Sequence, residues 1–172
     1  KIGDFCFPGR LTWERLRQIL DMIKTEGIMD SLRTMGDIGF DALLVMMTGG
    51  VIRSISVEPD ETFFPPLERA VRHSIPKPLA LILNYPSNPT AQVATLDFYK
   101  DVIAFAKKHD IIVLSDLAYS EIYFDDTPPP SVLEVPGAMD VTVEFTSMSK
   151  TFSMPGWRMG FAVGNERLIS AL

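Results

Sequence analysis

A single cysteine, Cys6, occurs in the 172 residues, so no intrachain disulfide can form, and the scarcity fits a reducing compartment. Positive charge is also short. Against 22 Asp and Glu stand 16 Lys and Arg, which gives a net charge of −6 and a sequence pI near 4.9. No basic face is evident to neutralise phosphates, which argues against a nucleic-acid partner. Long hydrophobic runs are missing too. The longest, Ala42 to Met47, falls far short of the ~20 apolar residues of a membrane-spanning helix. The opening residues KIGDFCFPG hold no apolar core of the length that a secretory signal needs. Internal repeats, linkers and low-complexity tracts are lacking as well. Together these absences lead to the expectation of a soluble, cytoplasmic protein with no membrane and no nucleic-acid partner. What remains is ordinary globular composition, 47% hydrophobic and 22% charged, enough for one domain with a real core.

Residues 1–48 read as a helical segment of unclear origin, packed on the same domain as the rest. A short irregular lead ends in Pro8-Gly9. Thr12 can then cap a helix that begins near Trp13, with Leu16, Ile19, Leu20, Met22 and Ile23 at helical spacing and Gly27 as its stop. A second helical stretch covers Ile28 to Thr34, and Asp37 to Met47 fits a strand or a short helix equally well. The methionines clustered here (Met22, Met29, Met35, Met46, Met47) read as adaptable core filling rather than as sulfur ligands, and no metal site is expected.

From Gly49 the pattern changes. Val51 to Val57 roughly alternates, and Pro65-Pro66 opens a short helix that runs to His73. Leu79 to Leu83 is a continuous apolar strand. Leu96 to His109 is an amphipathic helix that turns Phe98, Val102, Ile103, Phe105 and Ala106 toward the core. Ile111 to Leu114 is a further strand, closed by Ser115-Asp116. A helical turn near Tyr119 to Ile122 and a proline loop at Pro128 to Pro130 follow. The strands Val141 to Phe145 and Phe161 to Val163 come next, then a helix from about Glu166. Apolar strands alternating with amphipathic helices predict an α/β fold, a three-layer α/β/α arrangement around a mainly parallel sheet.

In an open parallel sheet, ligands sit beyond the carboxyl ends of the strands. Three strands here end in polar residues: the first leads to Asn88, the second to Asp116 and Tyr119, the third to Ser147, Ser149 and Lys150. Each alone has a plainer meaning. Asn88 suits a turn, Asp116 a helix cap, Tyr119 partly buried packing, Arg158 a surface ion pair and Lys150 a solvated strand end. Their combination carries more. A lysine closing a buried strand is costly unless it has a partner or a task, and desolvation favours the neutral amine that condenses with carbonyls. An aromatic aldehyde cofactor with a ring nitrogen and a phosphate needs such a lysine for a Schiff base. It also needs a carboxylate at the ring nitrogen, donors to the ring oxygen, and cationic and hydroxyl groups for the phosphate. Lys150, Asp116, Asn88 with Tyr119, and Arg158 with Ser147 and Ser149 fill those roles in turn.

Three motifs stand in this order: Asn84-Tyr85-Pro86-Ser87-Asn88-Pro89-Thr90, Ser115-Asp116-Leu117-Ala118-Tyr119, and Ser147-Met148-Ser149-Lys150 followed by Gly156-Trp157-Arg158-Met159-Gly160. With them the chain resembles the fold-type I pyridoxal-phosphate-dependent aminotransferases of class I/II, and within them the alanine, aspartate and LL-diaminopimelate aminotransferase branch. The resemblance covers residues 49–172, which it marks as a portion of the cofactor-binding large domain, and leaves 1–48 unmatched. It implies that Lys150 carries the cofactor and shuttles a proton at the substrate Cα. It implies that Asp116 meets the pyridine nitrogen, that Asn88 and Tyr119 bond the ring oxygen, and that Ser147 and Arg158 hold the phosphate, with Ser149 a lesser contributor. It further implies pyridoxal 5′-phosphate as cofactor, an amino acid and a 2-oxo acid as substrates, and a homodimer. The family's C-terminal small domain, with the arginine that grips the substrate carboxylate, is expected to have no counterpart in these residues. Two alternatives stay open: a truncated, non-catalytic protein that keeps the cofactor-site core, and a pyridoxal-phosphate-dependent C–S lyase.

Overall fold

In a computed structural model, residues 5–8, 53–55 and 58–171 are described. The helix after Thr12, the stretch Ile28 to Thr34, the ambiguous Asp37 to Met47 with its methionines, and the ends of the alternating run Val51 to Val57 lie outside the described residues.

Strands β1 (Phe5–Pro8), β2 (Arg53–Ser54), β3 (Pro78–Asn84), β4 (Ile112–Asp116), β5 (Thr142–Ser147) and β6 (Gly160–Gly164) form one sheet among the described residues, in the order β2-β1-β3-β4-β5-β6. The central pairs β3–β4 and β4–β5 are parallel. β1 runs antiparallel to β2 and β3, and β6 antiparallel to β5. The fold is α/β as expected, with a mixed sheet that is parallel at its centre. Connection type explains the mixture. A parallel pair needs a long crossover. Helix α2 (Leu96–His109) supplies one between β3 and β4. The segment from β5 to β6 holds only the short helix α3 (Met148–Thr151) and a 3-10 turn at Pro155–Trp157, so the chain doubles back.

The described part of the lead before Gly9 is not irregular, as the sequence suggested. Phe5–Pro8 is a sheet strand, with Phe5 beside Ile82 and Cys6 beside Leu81. Four residues ending in proline carry no periodicity of their own, and their strand state comes from a partner far along the chain.

Strand alternation divides the core in two. On one face Leu81, Leu83 and Val113 pack with Leu67 and Val71 of helix α1 (Phe64–His73) and with Phe98, Val102, Phe105 and Ala106 of α2. Prolines occupy the first turn of α1, where a missing N–H costs nothing. Thr95 caps α2 by accepting from Phe98 N at 3.1 Å, Lys107, Lys108 and His109 sit in its last turn, and Asp110 ends it in the left-handed conformation. Phe98 is the centre of an aromatic cluster. Its ring lies 5.0 Å from Phe63 and 5.7 Å from Tyr85, both edge-on, a geometry worth about 0.5–1.5 kcal/mol per pair beyond area burial.

On the other face Ala80, Ile82, Leu114 and Val143 meet Leu168 of helix α4 (Glu166–Ile169). Helices therefore cover both faces, in three layers, with the first face far more thickly covered among the described residues. The turn into α4 is tight. A Cβ on Gly164 would collide with the Thr142 carbonyl oxygen and lie 2.8 Å from Val143 Cα. Asn165 then caps α4 through its Oδ1, which accepts from Arg167 N at 3.0 Å and Leu168 N at 3.2 Å.

Candidate active site

The thinly covered face carries the polar strand ends. Along β3 it shows Ala80 and Ile82, then Asn84. Along β4 it shows Ile112 and Leu114, then Asp116. Along β5 it shows Val143, then Phe145. Asn84 and Asp116 are direct neighbours in register, as are Asp116 and Phe145. Period-two alternation thus delivers apolar residues to the core and polar residues to the carboxyl edge of the same face.

Asp116 closes β4 and is half-buried. Its Oδ2 accepts from Asn84 Nδ2 at 3.0 Å, and its Oδ1 accepts from Ala118 N at 3.2 Å. Asn84 also donates to the Asp116 carbonyl at 3.3 Å. The Asn84 Oδ1 accepts from Asn88 N at 2.9 Å, which anchors the loop after β3. Asn88 is exposed, and its Nδ2 donates to the Tyr119 hydroxyl oxygen at 3.2 Å. The Tyr119 O–H is thereby left to donate elsewhere. Tyr119 sits in the turn after β4, where Ile122 N donates to its carbonyl at 3.0 Å.

Lys150 does not close the strand. β5 ends at Ser147, and Lys150 follows in the single turn of α3, half-buried. The sequence missed this turn because four residues, Met148-Ser149-Lys150-Thr151, are too few to show a helical period. Ser147 Oγ caps it by accepting from Ser149 N at 3.3 Å. The turn lifts Lys150 Nζ over the Tyr119 ring, 5.9 Å from its centroid, within range of the ring's negative face. Arg158 is exposed and lies in the left-handed conformation at φ 52°. Its Nη1 donates to Pro155 O at 3.1 Å. Met148 N donates to Met159 O at 3.1 Å, and Ser147 pairs with Gly160, so the Arg158 segment returns beside Ser147.

The structure therefore brings Asn88, Tyr119 and Lys150 together and links Asp116 to Asn88 through Asn84. Ser147 and Ser149 belong to the Lys150 turn, and Arg158 sits on the adjoining segment. Two residues escaped the sequence reading. Asn84 was part of a motif without a role of its own. Glu144 lies within the apolar strand and is buried on the other face. Its carboxylate accepts from Ser131 Oγ at 2.6 Å, Ser115 Oγ at 3.2 Å and Val132 N at 3.2 Å. Burial pushes its carboxyl above the usual glutamate value of 4.5, against the downward pull of those hydrogen bonds. A glutamate inside a run of strand formers was the signal available.

The donor set fits an aromatic aldehyde. An amine, a phenol and an amide N–H meet from three adjacent strand ends, a carboxylate is linked to them through Asn84, hydroxyls share the turn of the amine, and a guanidinium stands on the adjoining segment. Among the described residues no group of three or more His, Cys, Asp or Glu could hold a metal ion, and no helix is long and apolar enough to cross a membrane.

Comparison with known proteins agrees with this chemistry. AatC of Rhizobium meliloti (strain 1021), which carries an aminotransferase name, is 95% identical over 127 residues, covering 74% of this chain and 31% of its own length. The glutamate-pyruvate aminotransferase AlaC of Escherichia coli (strain K12) is 50% identical over 127 residues, covering 74% of this chain and 31% of its own. Among solved structures, the aspartate aminotransferase of Thermotoga maritima superposes with a TM-score of 0.63 at 29% identity, over 74% of this chain and 34% of that one. The chain spans about a third of the length of the curated relatives it matches. A sequence model of the aminotransferase class I and II family, whose members depend on pyridoxal phosphate, matches residues 44–172. That match begins just ahead of Gly49 and takes in all three motifs, and by it the chain belongs to the class I and II aminotransferases.

Proposed function

We propose that this chain binds pyridoxal 5′-phosphate at the carboxyl edge of β3, β4 and β5 and serves amino-group transfer between an amino acid and a 2-oxo acid. One observation carries the reading: Lys150 Nζ stands 5.9 Å from the centre of the Tyr119 ring, whose hydroxyl lies 3.2 Å from Asn88 Nδ2. An amine and two ring-oxygen donors are thus gathered from three separate strand ends.

When bound, the cofactor supplies an electron sink that stabilises charge on the substrate Cα. The protein does the rest. Lys150 Nζ would hold the aldehyde carbon and, once the substrate amine had displaced it there, would be the base that moves a proton at the substrate Cα. Asp116 holds the proton of the ring nitrogen, with its carboxylate oriented by donors from Asn84 and Ala118. Asn88 Nδ2 and the Tyr119 hydroxyl donate to the ring oxygen. Ser147 and Arg158 bind the phosphate, with Ser149 at the edge of that group.

Residues 49–172 act as the cofactor-binding portion. Residues 1–48 belong with the same domain, a reading supported by the pairing of Phe5–Pro8 with β3. A homodimer in the cytoplasm, working in amino acid metabolism, is the family's usual setting, and the acidic, single-cysteine composition is in keeping with it.

Spectra of the chain with pyridoxal phosphate test the function. An amino acid such as alanine, aspartate or glutamate should discharge the protein-bound visible band, and a 2-oxo acid should restore it. Pyruvate released from cysteine-like substrates would assign a C–S lyase instead. A band that no amino acid changes would mark a cofactor binder without turnover.

A further inference from the structure

Asn84 occupies a place that the proposed chemistry does not use directly. Its side-chain amide meets three partners, and together they permit one orientation. Nδ2 faces Asp116 Oδ2 at 3.0 Å and Asp116 O at 3.3 Å, both acceptors, while Oδ1 faces Asn88 N at 2.9 Å, a donor. A flipped amide would set oxygen against two oxygens and NH2 against N–H. Asn84 is half-buried and immediately beside Asp116 in the parallel register, so strand pairing holds the amide in place. Asn84 and Ala118 each donate to one oxygen of the Asp116 carboxyl group, Asn84 Nδ2 to Oδ2 and Ala118 N to Oδ1. The same amide fixes the backbone of Asn88, whose side chain reaches Tyr119.

We infer that Asn84 is a positioning residue. It orients the Asp116 carboxylate toward the cofactor's ring nitrogen and ties that orientation to the loop that presents Asn88 to the ring oxygen. The role rests on the cofactor reading above. The residues assigned to the ring nitrogen and to the ring oxygen would then be set by a single amide.

A double-mutant cycle on the full chain tests this, with the affinity for pyridoxal phosphate read from absorbance titration and the pH profile of the bound band as a second readout. Asn84→Ala should raise the Kd about tenfold, as expected for one lost hydrogen bond to a charged group, and should shift the pH profile. In the Asp116→Ala background the same substitution should cost less than in the parent, because the contact to Asp116 is already gone and only the anchor to Asn88 N is left to lose. Asn84→Asp keeps the acceptor for Asn88 N while removing the donor to Asp116. It should reproduce the loss at neutral pH, and it serves if Asn84→Ala does not fold. Equal losses in the two backgrounds, or an unmoved pH profile, would overturn the role and leave the cofactor reading standing. A parent chain with no protein-bound band would overturn both, and the two failures are distinct.

Discussion

Leu81, Leu83 and Val113 face one side of the sheet and are sealed under α1 and α2. Their chain neighbours Ile82 and Leu114 face the other side, pack with Leu168, and lead two residues later to Asn84 and Asp116. The same strands thus serve two ends. The thick face is aromatic and closely packed, and it holds the register. The thin face gives up part of its apolar area and uses that register to line up an amide, a carboxylate and, one turn beyond β5, an amine. The pleat sets the packed core on one face and the proposed site at the edge of the other. Substitutions on the first face should therefore cost folding, and substitutions at the carboxyl edge of the second should cost ligand binding.

The largest expected effect is on the thick face. Phe98→Ala removes the centre of the aromatic cluster and should lower the unfolding free energy by about 3–5 kcal/mol in a denaturant titration, while the fraction still folded keeps its cofactor affinity. Gly164→Ala comes next. Its methyl group has no room beside the Thr142 carbonyl and Val143 Cα, so β6 and α4 must shift, at about 1–3 kcal/mol in the same assay.

Asp116→Ala inverts the pattern. It should weaken pyridoxal phosphate binding by about tenfold or more with little change in melting temperature; an unchanged affinity would remove Asp116 from the site. The smallest effect is the most diagnostic of the thick face's polar exception. The Glu144 carboxyl titrates above its ordinary value because burial favours the neutral acid. A raised folded-state value means that its contribution is fully present below 4.5 and is lost as pH rises through the raised value. Glu144→Gln should flatten that part of the stability-against-pH curve and leave the cofactor band unaltered. A curve that keeps its slope would show that other groups set it.

Much of the fold could be read from local pattern. Helix α2 spans Leu96–His109 as the apolar spacing implied, because Thr95 and Asp110 mark its ends and 14 residues suffice to show a period. The strand centres were legible for the same reason, since continuous apolar runs need cover on two sides. Phe5–Pro8 was not legible, because its pairing with Ile82 and Leu81 is set by residues far away in sequence. Of the site, the motif residues could be named singly, but their geometry could not. The helical turn that carries Lys150 over Tyr119, and the Asn84 amide that joins Asp116 to Asn88, are products of strand register. Glu144 shows the reverse case, a visible anomaly in a strand whose partners, Ser115 and Ser131, only the fold reveals.

Borohydride reduction after incubation with pyridoxal phosphate, followed by peptide mapping, tests the role of Lys150 most directly. A single cofactor adduct on Lys150, lost in Lys150→Ala while that variant melts with the parent, is the expected result. Adducts scattered over Lys100, Lys107, Lys108 and other lysines, or equal labelling of Lys150→Ala, would contradict the site.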